Sequence, residues 1–196
     1  MTTPITRILT SVALILAVAG SWSLRAASSQ EGEEGRKEVF TMVAVPTRGS
    51  ARVTIDFTMR LNEFTTDQEV VKLIEILREG GTDELRRTLE KVEKGKLSPK
   101  GRIGADVAVA RVRKTEKGER FIVITARTIP GFEQYVSGRS MDYPFGWFEF
   151  EIDEEGKMVE MGTFIMAARL SFNKEGQFEI ESYGMQPYRL TNIKRW

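Results

Sequence analysis

The sequence predicts an α+β fold: an antiparallel β-sheet curled into a half-barrel or barrel, with a two-helix hairpin inserted after the second strand. Three observations predict it. Val53, Ile55, Phe57, Met59 and Leu61 alternate with polar residues, a period of two. The pattern then turns helical over about thirty residues, broken by Gly80-Gly81. After Gly101 the chain reads as strands joined by short polar turns that end in glycine.

Taken in order, residues 39–45 are apolar and β-branched enough for a strand, stopped by Pro46 and a turn-like stretch. The alternating strand through Leu61 follows. Thr66 with Glu69 has the spacing of a capping box, and Val70, Leu73, Ile74 and Leu77 share one helical face. Gly80-Gly81 supplies a stop. Thr82 or Asp83 can cap a second helix whose apolar stripe is Leu85, Leu89 and Val92. Residues 94–101 (KGKLSPKG) read as a loop. Six strands follow, at about 103–113, 120–129, 145–152, 158–172, 177–182 and 187–193. Gly118, Gly156 and Gly176 close their hairpin turns, Gly162 marks a bulge, and Pro187 sits where a missing donor matters least. A helix-grip fold starts with a similar order but closes on a long helix that is not visible here. A calycin-like eight-stranded barrel with a helical insertion is the competing picture.

Ahead of this domain, residues 1–28 read as a signal peptide. Arg7 is followed by an apolar run over 8–20 and then by small residues. The run is shorter than the ~20 residues a membrane-spanning helix needs. Ala26-Ala27-Ser28 suits cleavage after Ser28, and Ser21-Trp22-Ser23 offers an earlier site. Residues 29–38 read as a polar, glycine-spaced linker, and 39–196 as a single α+β domain. The expected location is periplasmic or extracellular, with membrane contact only through the signal segment if it is uncleaved.

The 196 residues hold 29 basic and 28 acidic side chains, a net charge of +1. Cleavage after Ser28 removes Arg7 and Arg25 and no acid, leaving 27 basic against 28 acidic side chains on 168 residues. That balance argues against nucleic acid as a partner. A chain of that length buries about 70% of its unfolded surface, enough for a core without disulfides. No histidine or cysteine is present. This excludes Ser-His-Asp and Cys-His nucleophiles and imidazole or thiolate metal sites, and leaves carboxylate, lysine, serine and tyrosine chemistry open. Ser171–Lys174 spells S-x-x-K, but at a strand end rather than a helix start. Asp153–Gly156 lacks the alternating ligands of a calcium loop. Neither a cofactor nor a metal is expected.

Two segments are too particular for plain connectors. One is G-R-S-M-D-Y-P-F (138–145) and the other Y-G-M-Q-P-Y-R-L (183–190). SMDYPF and the Y-G-x-Q-P-x-R-L pattern resemble a family of small exported bacterial proteins of unknown function, and the strand after Ser50 and the helices through Gly80-Gly81 are similar too. The resemblance implies an exported single domain and brings no activity, cofactor or catalytic residue. From the residues themselves, Arg139, Asp142, Tyr143, Tyr183, Gln186 and Arg189 are the candidate ligand-binding set. Guanidinium forks grip oxyanions and aromatic rings offer a stacking face, which suits an anionic or sugar-like ligand. The bland alternative makes the tyrosines core residues and Arg139–Asp142 a loop-fixing ion pair. The expected function is an exported, non-enzymatic domain binding a small ligand or a cell-envelope partner. The alternative is a carboxylate- or metal-dependent hydrolase of the envelope using Asp142 with Glu149 or Glu181.

Overall fold

The computed structural model describes residues 35–47, 53–127, 129, 142–183 and 186–196. Nine strands and one helical element appear among them, in the order β1 (Glu38–Val45), β2 (Ile55–Leu61), α1 (Asp67–Leu89), β3 (Gly95–Pro99), β4 (Ala105–Lys114), β5 (Glu119–Thr125), β6 (Phe145–Ile152), β7 (Met158–Phe172), β8 (Phe178–Ser182) and β9 (Tyr188–Arg195). Every ladder is antiparallel. The sheet closes because β6 pairs with β7 and β9 bridges β7 to β1, giving an eight-stranded barrel. β8 stands outside that circuit. β7 is fifteen residues long, and its first half pairs with β9 while its second half overshoots the barrel and pairs with β8.

The barrel is expected from the sequence; the helical hairpin is not what forms. A single element runs from the Thr66 capping box to Leu89, and Gly81 kinks it with φ 68°, ψ −166°. Glycine takes that left-handed conformation without a Cβ clash, so the Gly80-Gly81 stop is real. Thr82 donates its hydroxyl to the Leu170 carbonyl at 2.9 Å, and Leu77, Leu85 and Leu89, from both sides of the kink, bury against one surface.

A second correction concerns 94–101. This stretch is not a loop: Gly95–Pro99 forms β3, between β2 and β4. Glycine and proline hide the strand because only Leu97 shows an apolar inward position. Glycine is needed at 95, where a Cβ would stand 2.1 Å from the Arg60 carbonyl oxygen. Proline closes the strand where a missing donor costs least.

Bulges set the inside and the outside. An extra β4 residue at Ala108 leaves Val107 inward and turns Val109 outward. The β6–β7 register slips beside Gly162, as its sequence position suggests, and again between Ile165 and Ala168. On β9 the extra residue coincides with Asn192 at φ 49°, a conformation asparagine tolerates better than most residues.

The inward side chains fill the barrel axis. Phe40, Phe57, Phe121, Phe148, Phe150, Phe164 and Tyr188 are all buried there. Phe148 and Phe164 stack at 4.3 Å, with Phe57 edge-on to both. A second core lies outside the barrel, where α1 covers Val109, Ile124, Phe145, Trp147 and the helix-facing side of β7–β8.

The two barrel ends differ. At one end Arg36 and Arg195 bind Glu38 and Glu119. Arg36 clamps Glu119 with two bonds (2.9 and 2.7 Å) and gives a third to Glu38 (2.7 Å). Arg195 donates to both carboxylates. The Arg36 guanidinium also lies over the Phe64 and Phe121 rings. Arg36 and Glu38, read from sequence as the end of a linker, are therefore part of the fold. The opposite end, here termed the mouth, receives the β1–β2, β3–β4, β5–β6 and β8–β9 connections.

Candidate functional site

The β7–β8 hairpin has two faces, and the ladder assigns them. Ala168, Leu170 and Ile180 belong to the core under α1. Their neighbours Ala167, Arg169, Glu181 and Tyr183 lie on the other face, which continues the inner surface of the barrel beyond its mouth. Tyr143, two residues ahead of β6, packs onto this face.

There the two particular segments meet. The Tyr143 and Tyr183 rings are 5.1 Å apart, tilted by 43°, with Ala167 beneath them. Tyr143 is buried, and its hydroxyl donates to Glu181 Oε2 at 3.3 Å. The Tyr183 amide donates to the Ala167 carbonyl, which extends the β7–β8 ladder and fixes the second ring. Burial raises the Tyr143 phenol above its ordinary range, and the charges of Glu181 and Asp142 raise it further, against a smaller pull from Arg169. The phenol therefore stays protonated and acts as a donor.

Of the predicted set, the structure joins Tyr143 and Tyr183, with exposed Asp142 adjacent in sequence and acting on the Tyr143 hydroxyl through its charge. Gln186 is exposed in the connection to β9. Arg189 does not join them. It pairs with Thr163 and Val45 on the outer barrel surface, one register step from inward Tyr188 and Leu190. Arg139, and with it the expected Arg139–Asp142 ion pair, lies outside the described residues. Two residues absent from the predicted binding set complete the cluster: Glu181 and its cross-strand partner Arg169. Alternation along β7 was the available signal for Arg169, but the bulge after Ile165 inverts it.

The carboxylates proposed for hydrolysis divide. Glu149 sits on the outer face of β6 opposite Thr163, 3.7 Å from Arg120, while Glu181 is on the inner-facing side of the hairpin. No group of three or more acidic, histidine or cysteine side chains that could hold a metal stands together among the described residues. Burial raises the Glu149 carboxyl first, and Glu160 and Glu151 add to this; Arg120 and a bond from Trp147 oppose it. The folded state therefore holds its proton more tightly than the unfolded chain. The favourable contribution is complete at low pH and lost as pH rises through the raised value. Glu149→Gln is expected to stabilise slightly at neutral pH, where the wild type must hold a half-buried carboxylate. The gain should vanish near pH ~3, below the ordinary glutamate range, where the carboxyl is neutral in both states. Urea midpoints of both proteins at the two pH values check this; a gain that persists in acid contradicts it.

No family model matches this chain, and neither a curated protein nor a solved structure matches it.

Proposed function

We propose that this chain is an exported, non-enzymatic binding domain whose site is the inner-facing side of β7–β8 at the barrel mouth, and that its ligand is sugar-like, free or carried by an envelope partner. The observation that supports this is the Tyr143–Tyr183 pair, assembled from two segments forty residues apart and bordered by Glu181 and Arg169. Aromatic faces stack on the apolar face of a pyranose ring, and an adjacent carboxylate and guanidinium accept and donate to its hydroxyls. A barrel axis filled by side chains favours the rim over the interior for such a site. The pattern of residues 1–28 supports export.

The hydrolase reading keeps one pair, Asp142 with Glu181, because both charges act on the Tyr143 hydroxyl. The two readings separate in one experiment. Monosaccharides and cell-wall oligosaccharides are titrated by thermal shift, and the products are analysed by mass spectrometry. Binding predicts a rise in Tm with intact saccharide, weakened about 3–10-fold by Tyr183→Ala, the worth of one aromatic contact. Cleavage abolished by Glu181→Gln would establish the hydrolase instead. No shift with any saccharide would sink the ligand class.

A further inference from the structure

The barrel has two outer faces, and α1 covers only one. The other, built from β2, β1, β9 and β7, carries outward threonine and valine, Thr41 and Val43 at its centre. Three apolar side chains stand out of it: Trp196 (77% exposed), Met161 (53%) and Val45 (38%). Arg60, Arg189 and Lys194 are exposed around them. Acids stand beside it too: Asp56 opposite Val43, Glu160 at 3.7 Å from Arg120, and Glu155 paired with Lys157, which bridges to Lys194. Trp196 is held in place. Its amide donates to the Val39 carbonyl and its indole Nε1 donates to Thr41 Oγ1, both at 3.0 Å.

We propose that this face docks on an anionic membrane surface. An indole anchored at one edge beside Arg60 and Lys194, with Met161, Val45 and Arg189 farther along the same face, has the chemistry of an interfacial contact: the ring enters the headgroup layer and the cations meet lipid phosphates. A contact made by so few cations is weak, reversible and salt-sensitive. Two copies meeting through this same face would set Arg60, Arg189 and Lys194 against one another, which disfavours self-association. Chain connectivity adds a second argument. The chain enters β1 beside Trp196, and residues 21–34 span at most roughly 50 Å when extended. Before the signal segment is cleaved, a chain held at the export membrane by residues 8–20 keeps this face within reach of the same surface, where tethering raises its effective concentration.

Trp196 is its own reporter. Of the three tryptophans, Trp147 is buried, and Trp22 is removed by Trp22→Phe in the full chain. The probes are phosphatidylcholine vesicles with and without phosphatidylglycerol. The expected result is a blue shift of Trp196 emission and protection from iodide on the phosphatidylglycerol vesicles only, reversed by salt. The Arg189→Glu/Lys194→Glu variant should need about tenfold or more lipid for the same shift, while sedimentation through the N-terminal segment persists. Two results would overturn the proposal: a Trp196 signal indifferent to phosphatidylglycerol or to charge reversal, or a blue shift without lipid that grows with protein concentration. The second would assign the face to another copy of the chain. Trp196→Phe should remove the signal with the urea midpoint nearly unchanged, which verifies the reporter.

Discussion

Phe164→Ala is expected to cost about 3–5 kcal/mol of stability, the largest effect of any single truncation considered for this protein. Phe164 is fully buried and stacks on Phe148 at 4.3 Å, with Phe57 and Tyr188 around it at 5.3 and 5.6 Å. The substitution removes the ring's transfer energy and also leaves a void, because a closed barrel cannot contract around it. A helix pair can slide to fill a gap; eight strands hydrogen-bonded in a circuit cannot. Urea denaturation should show a lower midpoint with an unchanged slope. Phe164→Leu keeps most of the volume and should lose less than half as much. A loss below about 1 kcal/mol for alanine would mean that the axis is loosely packed.

Glu38→Gln should be nearly as damaging, at about 2–3 kcal/mol. Glu38 is 4% exposed and accepts from both Arg36 and Arg195, so its removal leaves two guanidinium groups sharing Glu119. Breaking one partner of a buried ionic group costs ~3–5 kcal/mol, reduced here because the arginines keep some contact with water. The same cluster contributes to the acid limb. Hydrogen bonding from Arg36 leads in holding the Glu119 carboxyl below its usual range, with Arg195 adding to it against the opposing effect of burial. A depressed carboxyl contributes stability that is complete above its unfolded value of 4.5 and is lost as pH falls through the folded one. Unfolding midpoints between pH ~6 and pH ~3 should therefore fall more steeply in the wild type than in Glu119→Gln. Parallel curves would show that Glu119 is not part of the acid response.

Where one side chain per two residues decides the outcome, the sequence was readable. β2 is seen in advance because four inward apolar residues, Ile55, Phe57, Met59 and Leu61, alternate with three polar ones. β3 is not, because it needs glycine where a neighbouring carbonyl approaches and ends in proline; close contact overrides both residues' usual meaning. The kink at Gly81 was legible as a break, but the surface that both halves share was not, because it is supplied by distant strands such as the one carrying Leu170. The site follows the same logic. Tyr143 and Tyr183 were visible as unusual residues in unusual segments, and their contact was not, because it depends on β7 overshooting the barrel to pair with β8. Arg189 was misplaced by a single step of register, enough to move a side chain from one face of a strand to the other. Arg36 and Glu38 were hidden by composition: a short run of charges with glycines looks solvated until its partners, eighty and more residues away, are known.

The β1–β9 ladder joins residues 40–45 to 189–195, almost the full length of the domain. In kinetic terms, β9 is the last strand synthesised and the one without which no circuit closes. Until it arrives, β1 and β7 present unpaired edges, and the aromatic side chains destined for the axis have one open side. The final step joins segments separated by some 150 residues, so its loop-closure entropy comes due all at once. Folding should accordingly be slow and late for a chain of this size. The bare edges make the unfinished sheet the species most exposed to aggregation.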